Sequence, residues 1–261
     1  MLNYTQSGEG NNKIVFLHGN SSSLSYWNTV IKSDLSLNHT LYNIDLPGHG
    51  LSFKSSEPSE DYSFKGTANH VLNFIESEVK DNFILIGHSL GCNIIGEFAN
   101  RLKNCKGILL TSPSIIGENI LINEISLPNE TVGVLFKDTF DNDELSSYLN
   151  NVSINFDEEA KRKFIEDFKN TDGKVRTTIL ETIIKGDFSD QIESIVNLNI
   201  PYGIVFGEKD TICNIKYLDN LNLKLYKNHS IIVKNAGHYI QLDQPNELNE
   251  IIETFAIYCF N

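Results

Sequence analysis

The feature that most limits how this chain can fold is a rhythm. Short runs rich in β-branched and aliphatic residues are each closed by Gly, Pro or Asp and followed by an amphipathic stretch. The runs are Ile14–Leu17, Leu41–Ile44, Phe83–Ile86, Gly107–Leu110, Tyr202–Phe206 and Ser230–Val233. They are strand-length and nearly continuous in apolar character, the pattern of strands covered on both faces. Between two of them, Ala68, Val71, Leu72, Ile75 and Val79 recur at three- and four-residue steps, which predicts a helix over Phe64–Val79. Alternating strands and helices predict an α/β fold: a mostly parallel twisted sheet with helices on both faces. In such a sheet ligands bind beyond the C-terminal ends of the strands, so the residues just after each run are where chemistry is to be sought.

One interval breaks the rhythm. From Ser112 to about Lys185 no strand-like run occurs, whereas a strand-to-helix loop takes about 2–6 residues. Asp157–Asn170 and Lys174–Lys185 have helical patterns separated by Thr171-Asp172-Gly173, and Ile179, Ile183 and Ile184 give the second an apolar face. The interval reads as a helical lid over the strand ends. The expected plan is a core in two parts, residues 1–112 and 187–261, with a helical cap at 113–186. Ile115, Ile116, Leu135 and Phe136 are its candidates for shaping an apolar pocket.

Composition excludes several roles. With 40% hydrophobic and 21% charged residues in 261, the chain has the make-up of a globular protein with a sizeable core. Its 34 acidic and 21 basic residues give a formal charge of −13 with no Lys/Arg-rich block, which argues against nucleic acid and anionic membrane surfaces as partners. The opening MLNYTQSGEGNNK has no basic stretch followed by an apolar run, and no apolar run exceeds strand length. Neither a signal peptide nor membrane insertion is therefore expected. Cys92, Cys105, Cys213 and Cys259 are scattered, without CxxC pairs or His/Cys metal spacing. They read as reduced thiols of a cytoplasmic protein. The sequon Asn151-Val152-Ser153 carries little weight without a secretory route.

The densest chemistry lies in FILIGHSLG, Phe83–Gly91: a strand, a Gly-x-Ser-x-Gly turn, then a helical stretch through Ala99. A sharp strand-to-helix turn needs small residues at Gly87 and Gly91, and it leaves Ser89 exposed at a helix N-terminus, where developing negative charge is favoured. A serine hydroxyl is a poor nucleophile without a base to take its proton and an acid to orient that base. The expected chain order is Ser, acid, His. YGIVFGEKD ends a strand with Asp210 in the loop beyond it, and SIIVKNAGHYI ends the next with His238 beyond it. Glu208 and Asp243 compete for the acid's role but read as solvated surface charges. His229 precedes its strand and so lies at the wrong end of the sheet; His39 and His70 fall in connecting or helical stretches. His88 reads as a packing residue pointing away from the reacting face of Ser89, and Cys92 as a small core side chain. An oxyanion hole needs the N–H after the nucleophile, that of Leu90, and one from the loop after an earlier strand; IVFLHGNSSS supplies Asn20. His18 reads as a brace for that loop.

Taken together, LHGN, DLPGHGLS, GHSLG, GEKD and AGH resemble the α/β-hydrolase fold superfamily in its serine-nucleophile, capped, esterase-like form, from about Ile14 to Asn246. The resemblance implies Ser89 as nucleophile, Asp210 as acid and His238 as base, with Asn20 and Leu90 N–H groups as oxyanion donors. It makes Asp45 and His49 architectural, and it matches the lid to a cap inserted after the sixth strand. Ser89 sets the chain apart from haloalkane dehalogenases and epoxide hydrolases, which carry an aspartate nucleophile, and His18-Gly19-Asn20 from esterases with an HGGG loop. HGNSSSLSYW is similar to small capped esterases, lactonases, carbon–carbon bond hydrolases and cofactor-free haloperoxidases. Trp27 has two readings, a wall of the acyl pocket or a core tryptophan.

The expected activity is hydrolysis of a carboxylic ester, or a related lactone or thioester, through an acyl-enzyme on Ser89. The expected partner is a small-molecule acyl substrate, with no cofactor and no metal; no feature of the sequence speaks to oligomeric state. A carbon–carbon bond hydrolase with the same triad, or a ligand receptor on this scaffold, are the alternatives.

Overall fold

The computed structural model describes residues 1–118 and 120–261. Seven strands form one sheet: β1 (Tyr4–Ser7), β2 (Asn12–Leu17), β3 (His39–Ile44), β4 (Phe83–His88), β5 (Cys105–Thr111), β6 (Tyr202–Gly207) and β7 (Ile231–Val233). Their spatial order is β1-β3-β2-β4-β5-β6-β7; only β1 runs antiparallel to its neighbour. Between them run the longer helices α1 (Phe64–Phe74), α2 (Leu90–Phe98), α3 (Asn142–Val152), α4 (Glu158–Asn170), α5 (Gly173–Lys185) and α6 (Gln191–Val196), and α7 (Pro245–Phe260) follows β7.

The continuous apolar runs are explained by burial on both sides. Because side chains alternate along a strand, Val15 and Leu17 of β2, Leu85 of β4, and Ile204 and Phe206 of β6 join one core cluster. Ile14 and Phe16, Ile84 and Ile86, and Val205 join the other. Val71, Leu72, Ile94 and Ile195 of α1, α2 and α6 cover the first face, and Leu248, Ile252 and Phe255 of α7 cover the second. The predicted helix over Phe64–Val79 is helical throughout, but its last turn, Ile75–Val79, widens to π geometry before the chain reverses at Lys80 with φ 61°. β1 has no apolar run to announce it: YTQS is a polar edge strand, half-exposed along its length.

The insert follows β5, the fifth strand along the chain, rather than a sixth. A sixth would need a further apolar run before Cys105, and residues 1–104 supply only the three that become β2, β3 and β4, with polar β1 added. Within the insert, Asp141, Asp157 and Asp172 cap α3, α4 and α5 by accepting backbone N–H groups of Glu144, Ala160 and Lys174. Gly186, at φ 65°, closes α5 in the left-handed conformation. The apolar face expected for α5 is narrower than the sequence suggested. Ile179 is buried, but Ile184 is 75% exposed, because one residue beyond Ile183 lies about 100° around the helix from it.

The approach of α2 to the sheet depends on one missing side chain. A Cβ on Gly91 would stand 2.6 Å from the Leu17 carbonyl oxygen and 2.9 Å from that of His18. Both are backbone atoms, which cannot swing away. Gly91→Ala is expected to destabilise the fold by about 1–3 kcal/mol in chemical denaturation. Gly133→Ala, where an added methyl meets nothing within 4 Å, should cost nothing.

Candidate active site

Six parallel strands end on one edge, and residues beyond four of them, β2, β4, β6 and β7, make up the candidate site. At the end of β4 the chain turns into α2 through Ser89, whose φ 49° and ψ −116° lie where only glycine rests without strain. Two backbone hydrogen bonds hold it: the Ser89 N–H donates to the Thr111 carbonyl (3.0 Å), and the Ser89 carbonyl accepts from Cys92 N–H (2.8 Å). Ser89 is left half-buried at the start of α2 and borders a cavity.

Asp210 and His238 arrive from β6 and β7. Their loops are joined backbone to backbone, Glu208 N–H to Val233 O (2.9 Å) and Lys209 N–H to Ala236 O (2.8 Å). Gly207 permits this contact, since a Cβ there would lie 2.1 Å from the Gly237 carbonyl oxygen. Asp210 Oδ1 accepts the N–H groups of Ile212 (2.8 Å) and Cys213 (2.9 Å), and Oδ2 meets His238 Nδ1 at 2.9 Å. The pair is sealed, with 0% and 2% of the Asp210 and His238 side chains exposed. Ser112 Oγ donates to the His238 carbonyl (2.9 Å) and holds the loop from β5. With Nδ1 occupied, Nε2 is the nitrogen left over, and it has no protein partner among the described residues. Ser89 and His238 are not hydrogen-bonded; such contacts are commonly long in a free enzyme and tighten around substrate.

Asp243 is not the solvated surface charge expected from sequence. It is 5% exposed, and its carboxylate accepts N–H groups of Gly237 (2.8 Å), Ile154 (3.1 Å) and Asn155 (2.7 Å). It thereby ties the residue before His238 to the chain following α3. Burial raises its pKa, against those three bonds. Glu208 is exposed and His229 lies exposed before β7. His39 is buried against Phe260, and His70 pairs with Asp61 (2.7 Å).

The remaining motif residues are braces. His18 contacts the Gly19 carbonyl through Nδ1 (2.8 Å) and accepts Leu46 N–H at Nε2 (3.0 Å), joining the loops after β2 and β3. Asp45 accepts the N–H groups of Leu24 (2.7 Å) and Leu51 (2.9 Å). His49 Nε2 accepts Ser21 N–H (3.2 Å). His88 is fully buried and stacked on Tyr26 at 4.4 Å; burial, reinforced by nearby His238, holds its pKa well below the usual histidine range. A neutral, enclosed imidazole is a packing group. Cys92 is equally enclosed, and burial pushes its thiol far up.

Asn20, Ser89 and Leu90 border a cavity of about 300 Å³. The N–H groups of Asn20 and Leu90 donate to no protein acceptor among the described residues. Ile116, Leu135, Phe136, Ile179 and Ile183 form apolar walls from the insert side, and among the described residues no charged side chain lines the cavity. One expectation fails here, and one open reading is decided. Ile115 is packed into the core below α2 and does not reach the cavity. Trp27 is not a pocket wall: it is fully buried between Phe16 (5.2 Å) and Tyr26 (4.7 Å), on the sheet face opposite α1 and α2. Its place in a run of serines and aromatics carried no sign of which way it would turn.

Asp210, Cys213 and His238 have potential metal-ligating atoms within 4.8 Å of one another. Their chemistry does not suit a metal. Burial and the Asp210 carboxylate both push the Cys213 thiol far above its ordinary value, so no thiolate is available, and both Asp210 oxygens already accept hydrogen bonds. Among the described residues no helix is long and apolar enough to cross a membrane.

Sequence reasoning missed several contacts between insert and core. Ser23 Oγ (2.8 Å) and Ser25 Oγ donate to Asp167 of α4, and Tyr148 of α3 meets Tyr239 hydroxyl to hydroxyl at 2.7 Å. These partners are 91 to 144 residues apart, and no local pattern links them.

Comparison with known proteins places this architecture. Rat monoacylglycerol lipase ABHD6 (Rattus norvegicus) is 21% identical over 259 residues, covering 95% of this chain and 76% of that protein. The crystal structure of N-acyl homoserine lactonase AidH complexed with N-butanoyl homoserine superposes with a TM-score of 0.88 at 21% identity, over 98% of this chain and 92% of that one. An esterase from Exiguobacterium antarcticum gives a TM-score of 0.78 at 15% identity, over 98% and 95%. These two structural likenesses speak to the fold. The sequence pattern of the Alpha/beta hydrolase family matches residues 14–251, nearly the whole length from β2 into α7, and the chain belongs to that family.

Proposed function

We propose that the protein is a carboxylic ester hydrolase in which Ser89 is the nucleophile, His238 the general base and Asp210 the acid that orients it. The observation that carries this reading is the sealed Asp210–His238 pair, whose one unpartnered nitrogen belongs to the loop beside the strained serine. Ser89 Oγ attacks the carbonyl carbon as its proton passes to His238 Nε2. The oxyanion is held by the Asn20 and Leu90 N–H groups. The carbon–oxygen bond then breaks, and the imidazolium protonates the departing alcohol. Water, deprotonated by His238, attacks the acyl-enzyme and releases the acid. Asp210 stays ionised throughout, stabilising the imidazolium and its tautomer. No step calls for a metal or organic cofactor.

Residues 113–186 act as a cap in this reading, closing an apolar, uncharged chamber over Ser89 that suits the acyl part of an ester, lactone or thioester. The relatives described as a monoacylglycerol lipase, a lactonase and an esterase support acyl C–O cleavage as the reaction class. Four unpaired cysteines suit a reducing compartment such as the cytosol.

Three variants test the assignment. Ser89→Ala is expected to abolish both covalent labelling by a fluorophosphonate and hydrolysis of p-nitrophenyl esters; labelling that persists at another serine rejects Ser89. Asp210→Asn should lower kcat about 10⁴-fold by stabilising the wrong imidazole tautomer, and near-normal turnover would move the acid elsewhere. Cys92→Ala should keep most of the wild-type turnover, since its thiol is sealed and protonated; loss of activity with the fold intact would contradict this. Turnover of simple esters across a chain-length panel separates ester hydrolysis from carbon–carbon cleavage, for which such esters are poor substrates.

A further inference from the structure

Arg176 of α5 is 2% exposed, yet no carboxylate lies within 4 Å of it among the described residues. Burying a guanidinium without a counter-ion is costly unless its donors are satisfied. Here they are spent on neutral oxygens. Nε donates to the Lys137 carbonyl (2.7 Å), Nη2 to that of Asp138 (3.0 Å), and Nη1 to the Phe168 carbonyl (3.4 Å) and Ser21 Oγ (3.3 Å). Phe140 and Phe168 lie against the guanidinium at 5.2 and 5.1 Å. Three of the four hydrogen bonds stay within the insert. The fourth crosses to the core, and it lands beside the proposed oxyanion donor.

Ser21 is no ordinary landing point. Its φ of 56° is in the left-handed region, a strained state for serine that persists only when its surroundings over-determine it. Its N–H donates to His49 Nε2 (3.2 Å), its Oγ donates to Asn20 Oδ1 (3.1 Å), and the same Oγ accepts from Arg176. Asn20 Nδ2 in turn donates to the Leu135 carbonyl, again in the insert (3.0 Å). The peptide that would present the Asn20 N–H is thus gripped on its side chain and on its successor by residues of the insert. Arg176 itself does not line the cavity.

We propose that Arg176 is a positioning residue that, through Ser21 Oγ, sets the aim of the Asn20 N–H, so that the oxyanion hole is complete only while α5 is docked on the core. This rests on the serine-hydrolase reading above. Its consequence is specific to charge development: a misaimed donor weakens binding of the tetrahedral oxyanion far more than of the neutral ground-state ester. A displacement on the order of 1 Å at a catalytic group costs about 10²-fold in rate.

The test measures kcat, KM and the inhibition constant of an alkyl boronic acid, which forms a tetrahedral anionic adduct on a serine nucleophile, for wild type, Ser21→Ala, Arg176→Lys and the double variant. Rates are taken per folded molecule by circular dichroism. Both single variants are expected to lose about 10- to 100-fold in kcat with KM nearly unchanged, and to bind the boronate correspondingly less well. The double variant should be no worse than the more impaired single one, because both break the same link. Lowered thermal stability with kcat, KM and boronate affinity intact would overturn the proposal and leave Arg176 a structural residue. So would additive losses in the double variant. If Arg176→Lys fails to fold, Ser21→Ala decides alone, since it removes one hydroxyl and no charge. Failure of the parent reading looks different: wild type would then ignore the boronate, or Ser89→Ala would still turn over ester, and both proposals fall together.

Discussion

The contact on which the rest of the structure depends is the close seating of α2 against β2, where Gly91 rests on the Leu17 and His18 carbonyls. Because no side chain intervenes, the first turn of α2 sits directly beside the loop leaving β2. That places Asn20, Ser89 and Leu90 on the border of one cavity. The same approach forces the turn at Ser89 to be tight, and its strained backbone is the local cost. Parallel strands on both sides hold it there, with Thr111 of β5 accepting the Ser89 N–H.

A second close approach organises the other half. Gly207 lets the loops after β6 and β7 share backbone hydrogen bonds, which is how two residues 28 apart in sequence come to be a sealed acid–imidazole pair. Asp243 extends that joint outward, taking Gly237 with one oxygen and Ile154 and Asn155 with the other. The insert is therefore bonded to both halves of the site: to the β7 loop through Asp243, and to the β2 loop through Leu135, Asp167 and Arg176. An insert fastened in this way fixes the loops around the candidate site as well as its own position.

The strands of the sheet centre were legible because burial on both faces leaves a continuous apolar signature, and α4 and α5 of the insert because helical periodicity is local; α3 was not singled out. β1 was not, since a polar edge strand is recruited by pairing with β3 and carries no apolar run. Trp27 illustrates the other limit. Its side chain is equally suited to a pocket wall or a core, and only the packing of Phe16 and Tyr26 decided for the core. Asp243 was misread for a related reason: an acidic residue in DQPNE looks solvated until three N–H groups from distant segments converge on it.

The sequence by itself determined the strand–helix alternation, the small residues at the Ser89 turn, and the placing of Asn20, Ser89, Asp210 and His238 after strand ends. Those features arise from local periodicity and turn chemistry, which need no knowledge of neighbours. Tertiary structure alone decided which faces the insert's side chains present, which aromatics wall the cavity, and how a buried arginine and a buried aspartate fasten the insert to the loops beneath it. Those outcomes depend on hydrogen bonds and packing between segments far apart in the chain, where no spacing rule operates.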